Sequence, residues 1–257
     1  MIDLHSHVLP GLDDGPPDLA GALALARAAV GAGTWVMAAT PHVGHRYRVE
    51  PRELPDRVVA LREELYAAGI PLDVLRGGEL AASLAADLSV SELEAITLDG
   101  GSCLLLECPF VMSGGLMPPL VAHLRRLGFR VLLAHPERSP EFLRDPALLT
   151  SLVEDGAYVQ VTASSFRGQF GRTVQRYALA LLDEGLIHVV ASDAHDAHAR
   201  SPELVETVEQ AVRHVGLPPS ATRFLTEYAP RALLDDAPLP PFPGAEQGSG
   251  AAGVRRR

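Results

Sequence analysis

The stretch RVLLAHPER, residues 130–138, decides the fold. Its residues 131–133, Val-Leu-Leu, form an uninterrupted apolar run, which is typical of a short strand buried on both faces of a parallel sheet. A helical run ends at Gly128 just before this strand, and a polar residue that can bind metal, His135, follows it. A helix, a buried strand and a polar strand end therefore succeed one another within a few residues.

The same alternation extends along most of the chain. Seven runs are predicted to be strands, at residues 2–5, 35–39, 72–75, 103–106, 130–134, 158–161 and 187–191. The predicted helices lie at residues 19–32, 54–68, 90–95, 116–127, 146–154, 174–184, 202–215 and 221–234. This order predicts an α/β fold with a parallel sheet. One domain is expected over residues 1–234, and the Pro- and Gly-rich tail at 235–257 is expected to be disordered.

Composition and charge narrow the class of protein. The 257 residues are 47% hydrophobic and 21% charged, with a mean hydropathy of +0.12, which is typical of a soluble globular chain. The formal net charge of −10 argues against a nucleic-acid-binding protein, because phosphate binding needs a basic face. The 2 cysteines make no disulfide framework, and no secretory signal or membrane-spanning stretch is visible. We therefore expect a cytoplasmic protein without a transmembrane segment.

Side chains that can bind metal ions follow the predicted strands. They are His5, His7, His42, Glu79, Glu107, His135, Asp193 and His195. The steps from His5 to His42 and from His42 to Glu79 are each 37 residues long. The next two steps, through Glu107 to His135, are each 28 residues long. One candidate ligand for each βα unit places these groups on the C-terminal rim of a parallel barrel, where such barrels hold their active sites.

The donor types indicate metal chemistry. Imidazole and carboxylate ligands without thiolates suit Mn, Fe or Zn, and the residues alone leave that choice open. Several carboxylates in one pocket repel one another, so two or more cations are expected among them. Such cations would hold phosphate oxygens and lower the pKa of a bound water.

Other local patterns add little to this hypothesis. The chain has no GxSxG motif and no arginine six residues after a cysteine, which argues against a serine hydrolase and excludes a phosphatase of the Cys-x5-Arg kind. Asp13, in the run Asp-Asp-Gly, is interpreted as a turn residue. Arg46 and Arg48 either seat an anionic peptide or belong to a solvated loop.

Six short motifs together resemble one known family. They are MIDLHSHVLPGLDDGP at residues 1–16, TPHV at 40–43, GGEL at 77–80, LLECP at 105–109, AHPER at 134–138 and ASDAH at 191–195. These motifs resemble the PHP (polymerase and histidinol phosphatase) superfamily and, within it, the bacterial manganese-dependent tyrosine-protein phosphatases of the CpsB/CapC/YwqE type. The resemblance extends from Met1 to about Leu234.

This resemblance implies a distorted (β/α)7 TIM-like barrel of the PHP fold that holds two or three Mn²⁺ ions, with Fe or Zn as alternatives. Glu79 is the implied bridging carboxylate, and Arg138 and Arg200 are implied to contact the phosphoryl group. The implied metal ligands are His5, His7, Asp14, His42, Glu79, Glu107, His135, Asp193 and His195.

The implied activity is hydrolysis of phosphotyrosine in proteins, by attack of a metal-bridging hydroxide on phosphorus. The implied partner is a phosphotyrosine-containing protein, the tail of a cognate bacterial tyrosine kinase that regulates capsule or exopolysaccharide synthesis. Two alternatives stay open. One is a histidinol-phosphate phosphatase or another small-molecule PHP phosphoesterase, and the other is a non-catalytic PHP regulatory module. The complete set of candidate ligands argues against the regulatory module, because such modules often lose ligands. The sequence predicts no oligomeric state.

Overall fold

The computed structural model describes residues 1–47 and 49–243. The strands are β1 (Ile2–Ser6), β2 (Val36–Ala39), β3 (His42–Val43), β4 (Asp73–Arg76), β5 (Glu79–Ala81), β6 (Cys103–Glu107), β7 (Arg130–Ala134), β8 (Tyr158–Thr162) and β9 (Val189–Ala191). The helices are α1 (Leu19–Gly31), α2 (Leu54–Ala67), α3 (Val90–Ala95), α4 (Met117–Arg126), α5 (Pro140–Arg144), α6 (Pro146–Glu154), α7 (Ala163–Phe166), α8 (Arg172–Asp183), α9 (Val205–His214), α10 (Ser220–Arg223) and α11 (Ala229–Leu234). Short 3₁₀ turns lie at Pro51–Glu53, Leu98–Gly100 and Pro136–Arg138, and one wider π turn at Phe224–Tyr228 joins α10 to α11.

Helix ends follow local capping chemistry. The Asp18 side chain accepts a hydrogen bond from the backbone N–H of Gly21 and so begins α1. Ser89 and Glu92 exchange side-chain and backbone hydrogen bonds in a capping box that begins α3.

The strands follow one another around a ring. One sheet has the order β1-β2-β4 and the other has the order β3-β5-β6-β7-β8-β9, and each pairing among the described strands is parallel. The ring closes between β1 and β9. There the backbone N–H of Asp193 donates to the carbonyl of His5 at 2.9 Å, and that of His7 donates to the carbonyl of Ala194 at 2.8 Å. The prediction of a distorted (β/α)7 barrel is confirmed.

Two of the seven predicted strand positions are each built from two short strands. Thr40 and Pro41 separate β2 from β3, and Gly77 and Gly78 separate β4 from β5. Proline has no N–H to donate, and these glycines bring the backbone close to neighbouring side chains, so the ladder is interrupted at both places. The two segments beyond the breaks, β3 and β5, were not predicted as strands, and they begin with the site residues His42 and Glu79.

Apolar side chains pack in two clusters, because successive residues of a strand point to opposite faces. The larger cluster joins strand residues such as Leu104 and Leu133 to helix residues such as Leu25. The smaller cluster takes the alternate residues, among them Leu105, and includes Leu233 of α11. It therefore fills the interior of the ring beneath the carboxyl ends of the strands.

The helix predictions differ from the structure mainly at their ends. Helix α9 begins at Val205 instead of residue 202, and the predicted helix at 221–234 consists of α10, the π turn and α11. The short helices α5 and α7 were not predicted. No helix in the described ranges has the length and apolar character needed to cross a bilayer.

The predicted tail begins at Asp235, and its first part lies against the barrel. The backbone N–H of Ser102 donates to the Asp236 carboxylate at 3.1 Å. The Phe242 ring meets that of Phe224 edge-on, with centroids 5.1 Å apart. The domain boundary at Leu234 stays a prediction, and residues 244–257 of the tail lie outside the described residues.

Candidate metal centre

All nine predicted ligands meet at the carboxyl ends of the strands, where they form four overlapping groups. Within each group, one nitrogen or oxygen of every member lies within 4.8 Å of those of the others. The groups are His7, Asp14, His42 and His195; His5, His7 and Asp193; His5, Glu79 and His135; and His42, Glu79 and Glu107. The groups share members, so the arrangement is one continuous centre.

Glu79 stands in the middle of this centre and is fully buried. Its Oε1 lies 2.7 Å from His135 Nε2, and its Oε2 lies 2.9 Å from His42 Nδ1. The same Oε2 is 3.3 Å from His5 Nε2 and 3.5 Å from His7 Nε2. A carboxylate that faces four imidazoles with its two oxygens has the position required of a bridging ligand.

Asp193 connects the histidines to the two predicted phosphate-binding arginines. Its Oδ1 lies 3.4 Å from His7 Nε2 and 3.6 Å from His5 Nε2. Its Oδ2 accepts hydrogen bonds from both Arg138 and Arg200, each at 2.8 Å. Both guanidinium groups are therefore held beside the cluster of candidate ligands.

The outermost group surrounds Asp14, whose side chain is 38% exposed. Asp14 Oδ1 lies 3.3 Å from His195 Nε2 and 3.4 Å from His42 Nε2. Glu107 is half-buried, with its Oε1 3.9 Å from His42 Nδ1. These two carboxylates face the opening of the site, whereas Glu79 closes its base.

Hydrogen bonds at Nδ1 orient three of the imidazoles. His5 Nδ1 pairs with Gln160 Oε1 at 3.0 Å, and His7 Nδ1 pairs with Asp13 Oδ2 at 2.6 Å. His195 Nδ1 lies 2.9 Å from the backbone carbonyl of Asp193. Each bond selects the tautomer that leaves Nε2 free to bind a cation.

Two of these supporting residues were missed by sequence reasoning. Asp13 does make the predicted turn, since its Oδ1 accepts from the N–H of Gly15 at 3.0 Å, but its Oδ2 also accepts from His7 and from the N–H of His42. The interpretation of Asp13 as a turn residue alone was therefore incomplete. Gln160 is a buried polar residue in the apolar strand β8, and this contrast is the signal that marks it.

The backbone is strained at two of the ligand positions. His135 has φ +38° and Asp193 has φ +54°, values in the left-handed region that non-glycine residues rarely adopt. Such a conformation costs on the order of 1–3 kcal/mol and persists where the surrounding structure imposes it. His135 directly follows β7, and Asp193 lies two residues after the end of β9.

Paired charges raise the pKa of two imidazoles. Burial alone would lower the pKa of His7, but interactions led by the hydrogen bond to Asp13 raise it to about 9. Burial is likewise outweighed at His42, where Asp14 and Glu79 raise the pKa to about 11. Protonated imidazoles here offset the carboxylate charge, which is the role that bound cations would take over.

Burial governs the pKa of two other members of the centre. Burial and the charge of Glu79 raise the pKa of Glu107 to about 7. Burial lowers the pKa of His135 to about 4, so this imidazole is neutral, as a metal ligand must be. Although burial opposes ionisation of Glu79 and Asp193, the charge of His5 holds the pKa of both carboxyls well below the usual range.

The residues fit a set of metal ions. Several buried atoms of the candidate ligands have no hydrogen-bond partner within the described part of the chain: His5 Nε2, His7 Nε2, His195 Nε2, His135 Nδ1 and Glu79 Oε2. Such atoms are costly unless a ligand satisfies them. The donors are imidazoles and carboxylates, which suit Mn, Fe and Zn. The two cysteines are buried and belong to none of the four groups.

A cavity of about 500 Å³ opens over the centre. Its lining includes both arginines and the aromatic rings of Tyr47 and Phe110. The Arg138 guanidinium lies 4.7 Å from the Phe110 ring centroid and 4.1 Å from that of Phe170. The cavity lining thus combines cationic groups with two aromatic rings. Arg46 also lines it, whereas Arg48 lies outside the described residues.

The chain is similar to known proteins in sequence and in fold. The family model described as "Capsular polysaccharide synthesis, CpsB/CapC" matches residues 1–234. Tyrosine-protein phosphatase YwqE of Bacillus subtilis (strain 168) is 37% identical over 202 residues, which cover 78% of this chain and 80% of that protein. The putative tyrosine-protein phosphatase CapC of Staphylococcus aureus is 30% identical over 196 residues, 76% of this chain and 77% of that protein. A solved structure from work on YwqE of Bacillus subtilis and CpsB of Streptococcus pneumoniae, described there as unique metal-dependent tyrosine phosphatases, superimposes with a TM-score of 0.83 at 34% identity. It covers 95% of this chain and 99% of the solved chain.

Proposed function

Because the chain belongs to the CpsB/CapC family of capsular polysaccharide synthesis proteins, as the resemblance implied, we propose that it is a metal-dependent phosphatase acting on phosphotyrosine in proteins. One observation carries the proposal. Four overlapping groups of imidazoles and carboxylates form one continuous centre, two of them share Glu79, and two arginines donate to the adjoining Asp193 in the lining of the same cavity.

The chain's own residues divide the work. Glu79, Asp193 and the imidazoles, together with Asp14 and Glu107, would hold the cations. When bound, these cations would supply Lewis-acid stabilisation of phosphoryl oxygens and a water of lowered pKa. Arg138 and Arg200 donate to the phosphoryl oxygens, and their shared acceptor fixes the spacing between the two guanidinium groups. Asp13 and Gln160 position two of the imidazoles without contacting the substrate.

The leaving group favours phosphotyrosine over phosphoserine. A phenol has a pKa of about 10, well below that of an aliphatic alcohol. The tyrosine oxygen therefore departs from phosphorus with less need of a proton from a general acid than a serine oxygen does. The two aromatic rings in the cavity lining, Tyr47 and Phe110, also suit an aromatic ring better than a short alkyl chain.

We further propose Mn²⁺ as the working ion, in two or three copies, and the tail of a cognate bacterial tyrosine kinase as the phosphoprotein. The ligand chemistry supports Mn, Fe and Zn alike, and the family resemblance supports manganese and the kinase. A cytoplasmic location stays a prediction from the sequence.

A reconstitution assay tests the proposed function. The full chain is stripped of metal, reloaded separately with Mn²⁺, Fe²⁺, Zn²⁺ or Mg²⁺, and assayed with a phosphotyrosyl peptide, the matching phosphoseryl peptide and histidinol phosphate. We expect metal-dependent release of phosphate from the phosphotyrosyl peptide, with manganese giving the highest rate.

The other outcomes identify the alternatives. Preferred cleavage of histidinol phosphate would indicate a small-molecule phosphoesterase instead. A protein that holds its full metal content but cleaves none of these substrates would indicate a non-catalytic module. In either case the proposal is wrong.

A further inference from the structure

The loop between β6 and α4 exposes apolar side chains beside the cavity. Phe110 is 47% exposed, Val111 is 70% exposed and Met112 is 50% exposed. We call these three residues, 110–112, the apolar tip. The whole segment from residue 108 to residue 117 contains no charged residue. Adjoining exposed apolar residues of this kind mark a surface that contacts a partner more often than isolated ones do.

The loop that carries the apolar tip is held in place from below. Glu141, a carboxylate that is only 7% exposed, accepts hydrogen bonds from the backbone N–H of Gly115 at 3.0 Å and from the Ser113 hydroxyl. At the other end, the N–H of Cys108 donates to the carbonyl of Ala134 at 3.4 Å. The loop is therefore anchored on both sides of the tip, and the tip is presented to solvent instead of folding onto the core.

The apolar tip is continuous with the cavity. The Phe110 ring stacks on the His135 imidazole, with centroids 5.2 Å apart and planes 15° apart, and it forms part of the cavity wall. Val111 and Met112 follow it directly outside the wall. An apolar surface thus leads from the candidate metal centre over the rim of the site.

We propose that the apolar tip binds the polypeptide next to the phosphotyrosine, and that it favours substrates with an apolar or aromatic residue adjoining the phosphorylated one. This inference rests on the proposed function. A phosphotyrosine side chain that enters the cavity brings its neighbouring residues across the rim, where Val111 and Met112 are the exposed apolar groups. Burying such side chains against one another removes apolar surface from water.

A membrane surface fits the tip less well. Binding of peripheral proteins to anionic lipids depends on basic residues as well as apolar ones. The loop supplies no basic residue, and the formal net charge of the chain is −10. The loop thus lacks the basic residues that binding to anionic lipid requires, whereas contact with an apolar side chain of a peptide requires none.

The test compares two substrates that differ only beside the phosphotyrosine. One phosphopeptide carries leucine on both sides of the phosphotyrosine, and the other carries serine; free phosphotyrosine is the third substrate. The manganese-loaded full chain is compared with the double variant Val111→Ser/Met112→Ser. Val59→Ser, which replaces a 52% exposed valine on α2, is the matched control for the loss of exposed apolar surface.

We expect the unaltered chain to cleave the leucine-flanked peptide with a kcat/KM about tenfold higher than the serine-flanked one, mainly through KM, since burial of only part of two apolar side chains at an open rim is worth a factor of this order. The double variant loses this preference and cleaves free phosphotyrosine at the unaltered rate. Val59→Ser keeps the preference.

Three results would overturn the inference: no preference in the unaltered chain, a preference that survives in the double variant, or an equal loss on all three substrates. Binding to phosphatidylglycerol vesicles that the double variant abolishes, with unchanged peptide kinetics, would assign the tip to a membrane instead. Turnover of free phosphotyrosine tests the proposed function separately, so failure of one is distinguishable from failure of the other.

Discussion

At the scale of single residues, the candidate metal centre depends on side chains that would never touch a metal. Asp13 accepts a hydrogen bond from Nδ1 of His7, and Gln160 accepts one from Nδ1 of His5. Each bond leaves the Nε2 atom of the histidine pointing into the centre. Partners of this kind raise the basicity of the imidazole and fix its ring orientation. Arg138 is fixed in a similar way, by Asp193 and by two aromatic rings.

Replacing Asp13 should weaken metal binding. Asp13→Ala removes the acceptor of both His7 Nδ1 and the N–H of His42, so we expect metal affinity to fall about 10- to 100-fold. Asp87→Ala, at an exposed aspartate, is the control and should bind metal normally. Metal titration followed by elemental analysis measures the effect. An affinity equal to that of the control would show that Asp13 has no positioning role.

Replacing Phe170 should lower turnover without releasing metal. Phe170→Leu removes the ring that lies 4.1 Å from the Arg138 guanidinium, and a cation–π contact of about 0.5–2 kcal/mol corresponds to a roughly 2- to 30-fold lower kcat/KM. Phe170→Tyr keeps the ring and should retain activity. If tyrosine impaired the enzyme as much as leucine, or if metal content fell in either variant, the contact with Arg138 would not be the cause.

The strand ends and the family resemblance together predicted the nine candidate ligands but not the residues that orient them, for a physical reason. His135 and Glu107 end apolar strands, and a polar group at such a place is conspicuous in the sequence. Asp13 is hidden because the same carboxylate also makes an ordinary turn. Gln160 stands out as a polar residue in β8, but the sequence does not reveal that its partner is His5, because the hydrogen bond joins strands that are distant in sequence.

At the scale of elements, the strands are interrupted just before two of the site residues, His42 and Glu79. The gap between β4 and β5 is formed by Gly77 and Gly78, and a Cβ added to Gly78 would stand 3.0 Å from both Ile96 Cβ and Val43 Cγ2. The backbone of β5 can approach β3 this closely only without a side chain there. The alternation of apolar and polar residues predicted the positions of the strands. It did not predict the interruptions between β2 and β3 and between β4 and β5, because these depend on close packing that leaves no periodic pattern in the sequence.

Adding a methyl group at Gly78 should destabilise the fold and disturb Glu79. We expect Gly78→Ala to lower the free energy of unfolding by about 1–3 kcal/mol, the usual cost of overpacking, and to reduce metal content. Gly31→Ala, in α1 with nothing within 4 Å of the added Cβ, is the matched control and should be neutral or stabilising. Chemical denaturation measures both; equal stabilities of the two variants would refute the packing argument.

His188, between α8 and β9, should make stability depend on pH. Its Nδ1 accepts from the N–H of Val159 at 3.1 Å, and burial lowers its pKa from 6.5 to about 4. The unfolded chain therefore binds a proton more readily, so stability is lost as the pH falls from about 6.5 towards 4, by about 1.4 kcal/mol for each pKa unit.

The substitution His188→Asn isolates this contribution, because asparagine keeps an acceptor for Val159 but does not titrate. The difference in unfolding free energy between the unaltered chain and this variant should be constant above about pH 7. Below that pH the unaltered chain should lose stability relative to the variant. A difference that is independent of pH between 4 and 7 would mean that His188 is protonated equally in the folded and unfolded states.

At the scale of the whole molecule, closure of the ring brings together residues from the two ends of the sequence. The buried Asp3 carboxylate accepts from the N–H of Ser192 at 3.0 Å, beside the backbone bonds that join β1 to β9. This seam sets His5 and His7 next to Asp193. The resemblance implied such a barrel, whereas spacing alone predicted only that the ligands share a rim, because no local pattern records which strands meet at the seam.

The claim that the rest depends on is that these side chains bind a shared set of cations. Anomalous diffraction from crystals of the manganese-loaded protein, recorded on both sides of the manganese absorption edge, tests it most directly. We predict two or three manganese peaks within coordination distance of the four groups, with Glu79 bound to more than one ion. Manganese peaks found only elsewhere, with Glu79 still paired to imidazoles, would contradict the account.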